Sequence, residues 1–183
     1  DVGRDVLSRL LYGGRVSLAV GIFSTAVSVI VGIPLGMLAA FYRGAFEVVV
    51  MRLSDIFMSF PSTILILFLV SMFGPSIITV TVVIGVLGWP KFARQIYGSV
   101  LSIREKDYIE GAVAIGAKDK LIITRYILPN AVAPIFISIT FRIASAIILE
   151  SSLSFLGMGV QPPAASWGNM LYNAQSITIL TSR

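Results

Sequence analysis

The sequence predicts an all-α membrane protein, a polytopic helical bundle, and three observations carry that reading. Hydrophobic residues make up 56% of the 183 residues and charged residues only 13%, against about 25% charged in an ordinary soluble domain, and the mean hydropathy is +0.92. Charges are absent from residues 16–42 and again from 56–90. Residues 131–149 are mostly apolar and carry one charge, Arg142. Hydrocarbon accepts only segments whose backbone is hydrogen-bonded internally, in practice helices, so these stretches read as spans within a single transmembrane domain over 1–183.

Residues 1–15 carry Arg4, Arg9 and Arg15 and read as an amphipathic segment outside the first span, 16–42. Within that span Ser24, Ser28, Gly32, Gly36 and Ala40 recur every four residues, a helix-packing stripe of small side chains that lets another helix approach closely. Pro34 predicts a kink there. Asp55, just ahead of the next apolar run, reads as an interfacial charge or a helix start rather than a proton carrier. The run 56–90 would be about 52 Å long as one helix, at ~1.5 Å per residue, against a hydrocarbon core of roughly 30 Å. It must therefore turn, and Phe73-Gly74-Pro75-Ser76 supplies the turn, giving spans near 56–73 and 76–90.

Residues 91–130 hold seven of the fourteen Lys and Arg. With four spans, the connections 43–55 and 91–130 share one side and nine Lys and Arg, whereas 1–15, 74–75 and 150–183 share the other and hold four: Arg4, Arg9, Arg15 and Arg183. The positive-inside rule puts 91–130 in the cytoplasm. It also accounts for the basic pI without nucleic acid.

Inside the cytoplasmic segment, Lys91 to Leu101 continues in helical pattern. Ser102 and Asp107 each stand three residues ahead of a carboxylate, Glu105 and Glu110, which predicts helix starts by capping box. In the short helix that follows, Tyr108, Ala112 and Ile115 share a face with Ile109 and Val113 alongside, and Gly111 and Gly116 leave the backbone bare. Gly116 is expected to end it in the left-handed conformation, with a second helix over Lys118–Leu128 that Pro129 stops. Gly111 to Lys118 counts like a phosphate-binding loop, but Ala117 occupies the lysine slot and no strand precedes it, so nucleotide binding is not expected.

Arg142 lies two-thirds along the span 131–149, and a charge at that depth faces a protein interior or a watery cavity. It is a candidate for the transport pathway or its gate, or else it pairs with a partner subunit or with a carbonyl. Glu150, roughly 12 Å further along at ~1.5 Å per residue, is out of its reach and is expected to mark the outer interface. Residues 150–183 read as an outer loop with short helices; Trp89 and Trp167 fit interface or packing positions. The sequence has no His and no Cys, and neither His-Glu-x-x-His nor Gly-x-Ser-x-Gly, so no catalytic residue and no metal site is expected.

The pattern Glu110-Gly111-Ala112, three residues, Gly116, then Leu128-Pro129 resembles the EAA loop of ABC importer permeases, with Gly111 where alanine is usual and Tyr126 where isoleucine is usual. Gly3-Arg4-Asp5-Val6-Leu7-Ser8-Arg9, Ile127-Leu128-Pro129-Asn130, Ser152-Leu153-Ser154-Phe155-Leu156-Gly157, and Ser166-Trp167-Gly168 after Gln161-Pro162-Pro163 resemble the oligopeptide, dipeptide and nickel subgroup. That resemblance implies a type I importer permease of about six helices, of which this chain lacks a first and a last. It also implies a cell-membrane location, a second related permease, two cytoplasmic ATPase subunits that bind ATP and Mg, an extracytoplasmic solute-binding protein, and no cofactor held by this chain. Membrane lipid surrounds such a subunit. By the same resemblance Tyr108, Glu110, Gly111, Ala112, Ile115, Gly116, Leu128 and Pro129 form the element that docks on an ATPase, and transport proceeds by alternating access. The competing class is a self-sufficient channel or ion-coupled carrier, for which Arg142 is the one hint.

Overall fold

The computed structural model describes residues 6–161 and 164–174. Gly3, Arg4, Asp5, Pro162, Pro163 and Arg183, which figure in the readings above, lie outside the described residues. The described chain is helical throughout: α1 (Val6–Tyr42), α2 (Gly44–Ser59), α3 (Ser62–Phe73), α4 (Ile77–Arg104), α5 (Asp107–Ala114), α6 (Asp119–Leu121), a π-helical stretch (Ile122–Ile127), α7 (Leu128–Val132), α8 (Ile135–Phe155) and α9 (Trp167–Ala174). α1, α4 and α8 are long and apolar enough to cross a membrane, and α2 with α3 adds a fourth crossing if the pair is one broken span.

Several boundaries differ from expectation, each for a local reason. The segment ahead of the first span is helical from Val6 on and continuous with that span as α1, because Gly13 and Gly14 do not interrupt the helix; they let Ser166 and Trp167 pack against its backbone. The stretch 56–73 is two helices, not one. Phe60 is extended (φ −92°, ψ 141°) ahead of Pro61, the conformation a proline imposes on the residue before it. Asp55 therefore sits inside α2 instead of starting a helix, and it forms an ion pair with Arg94. The turn at Gly74 (φ +87°) is as expected, and the Ser76 hydroxyl caps α4 by accepting the Thr79 amide at 3.0 Å.

Neither predicted capping box forms. α4 runs on to Arg104, so Ser102 lies inside it and its hydroxyl donates back to the Gly98 carbonyl at 3.2 Å. α5 starts from an extended Lys106 (φ −89°, ψ 140°) with no side-chain cap, leaving Asp107 as its first residue. Pro129 does not stop a helix either. Its ring excludes the carbonyl four residues back and it donates no hydrogen bond, and the ladder ahead of it is widened: the Leu128 amide reaches the Ile123 carbonyl. The Asn130 side-chain amide donates to the Tyr126 carbonyl at 2.7 Å, and the helix resumes as α7.

The described residues form two compact units. The first draws on the described parts of 1–26, 61–87 and 141–183. Val20, Ile66, Val70, Val80, Ile84, Ala146 and Leu153 form its core. Beside that core, Glu150 is not at an interface as expected but fully buried, 0% exposed. Ser17 donates to one carboxylate oxygen at 2.8 Å and Ser154 to the other at 2.7 Å, while the Val160 amide donates to Ser154 at 3.0 Å and the Trp167 amide to Ser17 at 3.4 Å. One carboxylate thus fastens α1, α8 and the segment entering α9. Glu150→Ala is expected to lower stability by about 2 kcal/mol, the scale of hydrogen bonds to a charged acceptor with their donors left buried; thermal unfolding in detergent measures it.

The second unit comprises 27–60 and 88–140. Ala40, Phe92, Ile96, Val100, Ile103, Ile109, Ile122, Ile127, Ala131 and Ile135 form its larger core. A smaller cluster joins Ala39 and Val50 to Trp89 and Ala93, with Phe57 edge-on to the Trp89 ring at 6.0 Å.

Candidate coupling site

α5 has two faces set by helical spacing. Ile109 and Ala112 are buried, and Ile109 joins the core of the second unit with Ile103 and Ile122. Tyr108 and Val113 flank that face, at 45% and 58% exposure, Glu110 and Gly111 are exposed opposite it, and Ile115, the residue that caps the helix, is 85% exposed. Ala112, grouped with the docking residues by sequence, is 6% exposed and turned inward, so it anchors α5 rather than presenting a surface. Leu128 is half-buried and Pro129 exposed.

The end of α5 is closed by backbone geometry. Gly116 takes φ +80°, its amide donates to Val113 at 2.9 Å, and the Ala117 amide donates to Ala112 at 3.0 Å. These paired bonds satisfy the last carbonyls in the arrangement that needs a left-handed residue. Apart from their chain neighbours and the local helix backbone, no atom of the described residues lies within 4 Å of where a side chain at Gly111 or Gly116 would begin. The site is therefore a short helix held from beneath, offering apolar side chains and bare backbone outward.

α4 leads directly into this element. Its final turns are tied to the helices before it by Arg94 with Asp55, by the Tyr97 hydroxyl donating to Glu47, and by Arg104 at the end of α1. Gln95 donates to Ser138 on α8 at 2.7 Å. Sequence reasoning did not single out Arg104. A cation in the last turn of a helix was the available signal, but its acceptors lie more than sixty residues away.

The other sequence-derived candidates lie on α1 and α8. Arg142 donates to the Ile84 carbonyl at 2.8 Å, one of the partners envisaged for it. Its Nε and the Thr25 hydroxyl are buried without a hydrogen bond among the described residues. Ser17 pairs with Glu150 and Gly21 abuts Ile147, so the antiparallel register places Thr25 at the level of Arg142. In the packing stripe Ser24, Ser28, Gly32, Gly36 and Ala40 are all buried. Gly32 and Gly36 meet the α4 backbone at Trp89 and Ala93, contacts made within this chain.

Comparison with known proteins bears on this geometry. Residues 32–182 match the family described as the binding-protein-dependent transport system inner membrane component. The glutathione transport system permease protein GsiD of Pectobacterium atrosepticum is 41% identical over 180 residues, covering 98% of this chain and 60% of the relative. GsiD of Escherichia coli is 38% identical over 180 residues, with 98% and 59% covered. The chain thus spans about 60% of the length of the curated relatives it matches. A solved structure of the MetNI methionine ABC transporter in inward-facing conformations, 21% identical, superposes with a TM-score of 0.76 over 96% of this chain and 86% of that one, a likeness of fold.

Proposed function

The chain belongs to the family of binding-protein-dependent transport system inner membrane components, and from that premise we propose that it forms part of the translocation pathway of an ATP-driven importer. The solute is a peptide or another small solute such as nickel; the relatives named for glutathione, itself a tripeptide, favour the peptide. The chain is a non-catalytic subunit. ATP and Mg are bound by two cytoplasmic ATPase subunits, a second related permease completes the pathway, and an extracytoplasmic binding protein delivers the solute. Residues 91–130 lie in the cytoplasm, α5 docks in a groove on an ATPase subunit, and ATP-driven closure of the ATPases drives alternating access.

The observation that carries this reading is the division of α5, with Ile109 fixed in a core, Ala112 buried, and Ile115 exposed at its end near two bare glycines. An amphipathic helix presenting apolar side chains to a groove is a recurrent recognition mode. A self-sufficient channel or carrier would have no use for it. In the assembled importer, a cysteine introduced as Ile115→Cys is expected to crosslink to an ATPase subunit and to be labelled only by reagents that reach the cytoplasm. Solute uptake in proteoliposomes is expected to require ATP and the ATPase subunits. Labelling from the outer side, or uptake without ATP, defeats the proposal.

A further inference from the structure

Arg104 is the last residue of α4, and only Glu105 and Lys106 separate it from α5. Any displacement of α5 therefore acts first on the end of α4. At that point the side chain leaves its own helix. One guanidinium nitrogen, Nη1, donates to the Phe41 carbonyl at 2.8 Å and to the Ala40 carbonyl at 3.3 Å, and the group lies 5.7 Å from the centre of the Phe41 ring.

Those carbonyls are among the last four of α1, which ends at Tyr42 and has no amide of its own to give them. The neighbouring Ala39 carbonyl is taken by the Arg43 amide, and Arg104 extends the cap to the next two carbonyls. Its charge also sits at the negative end of a 37-residue helix, where a cation is favoured. The rest of the contact is apolar: Ile96, Val100 and Ile103 pack with Ala40. Apolar packing is non-directional and tolerates sliding; a charged donor shared between two carbonyls holds one position.

We propose that Arg104 is a positioning residue that fixes the base of α5 to the end of α1, so that movement of the docked helix is passed to the longest membrane helix instead of being absorbed by slippage of α4. This rests on the importer reading above. The ion pair of Arg94 with Asp55 and the hydrogen bond from Tyr97 to Glu47 hold α4 to α2 along the same stretch. Among the hydrogen bonds of the described residues on α4, those of Arg104 engage α1 at its terminus while standing next to α5.

The test uses the complete importer, full-length permeases with ATPase subunits and binding protein, in proteoliposomes, and reads solute moved per ATP hydrolysed. Arg104→Met, which keeps the stem and removes every donor, is expected to lower that ratio by about tenfold, within the usual range of coupling between sites. ATP hydrolysis and the Ile115→Cys crosslink to the ATPase are expected to persist. Arg104→Lys, which restores a cationic donor, is expected to recover most of the ratio. An unchanged ratio in Arg104→Met with the crosslink intact overturns the inference and leaves the importer reading standing. Absence of the crosslink in the importer with native Arg104 overturns the importer reading instead. If Arg104→Met fails to assemble while Arg104→Lys assembles with the native ratio, Arg104 merely caps α1 and the inference is overturned.

Discussion

Gly36→Leu is expected to prevent stable packing of α1 on α4, with loss of the folded protein from the membrane or a drop of more than about 3 kcal/mol, beyond the ordinary cost of overpacking a core. A side-chain carbon at Gly36 would run into the Ala93 carbonyl and the Ile96 side chain, and one at Gly32 would stand 2.6 Å from the Trp89 carbonyl. The obstacle is backbone within a long helix, which cannot rotate aside as a side chain can. The two helices would have to separate, opening the core in which Ala40 meets Ile96 and Val100. Gly36→Ala should show the same defect in weaker form, whereas Gly98→Ala on α4, where no described atom outside the local helix backbone lies within 4 Å, should be tolerated. Thermal unfolding and membrane yield of the three variants decide the matter; a Gly36→Leu protein as stable as Gly98→Ala would contradict the packing described here.

What could be read from the sequence was what depends on neighbours along the chain. Charge-free runs located the apolar helices, Gly74-Pro75 located a turn, and Gly116 located the end of α5, because each signal acts over a few residues. The break at Phe60-Pro61 was legible by the same rule but was masked by the uniform hydrophobicity of 56–73. The capping boxes misled for a related reason: Ser102 satisfies itself on Gly98, four residues back inside a helix already running, and nothing local says that the helix continues. Glu150 could not be read at all. Its burial depends on Ser17, 133 residues earlier, and a glutamate after an apolar run otherwise looks like a boundary charge. Of the coupling site, spacing identified the exposed apolar residues and the glycines, but put Ala112 outside. Which stripe of α5 faces the core is decided by Ile103 and Ile122, contributed by elements on either side.

Gly116→Leu is expected to abolish ATP-driven uptake, by more than about tenfold, in an importer that still inserts and assembles. Two physical effects combine. A residue with a side chain resists the left-handed conformation by about 1–2 kcal/mol, which loosens the bonds from Gly116 to Val113 and from Ala117 to Ala112. The new side chain also projects where, beyond the chain neighbours of Gly116, no described residue has an atom within 4 Å, beside Ile115. Global stability is little affected, since the inward anchors Ile109 and Ala112 are untouched. Gly116→Asn separates the two effects, because asparagine accepts the left-handed conformation yet still covers the bare backbone. Uptake is expected to stay low in Gly116→Asn, while hydrogen exchange at the Ala117 amide stays as slow as in the unsubstituted protein. Recovery of uptake in Gly116→Asn would reduce the role of Gly116 to that of a helix cap, and normal uptake in Gly116→Leu would remove α5 from the proposed coupling path, because a helix docked through bare backbone at Gly116 would not accommodate a leucine there.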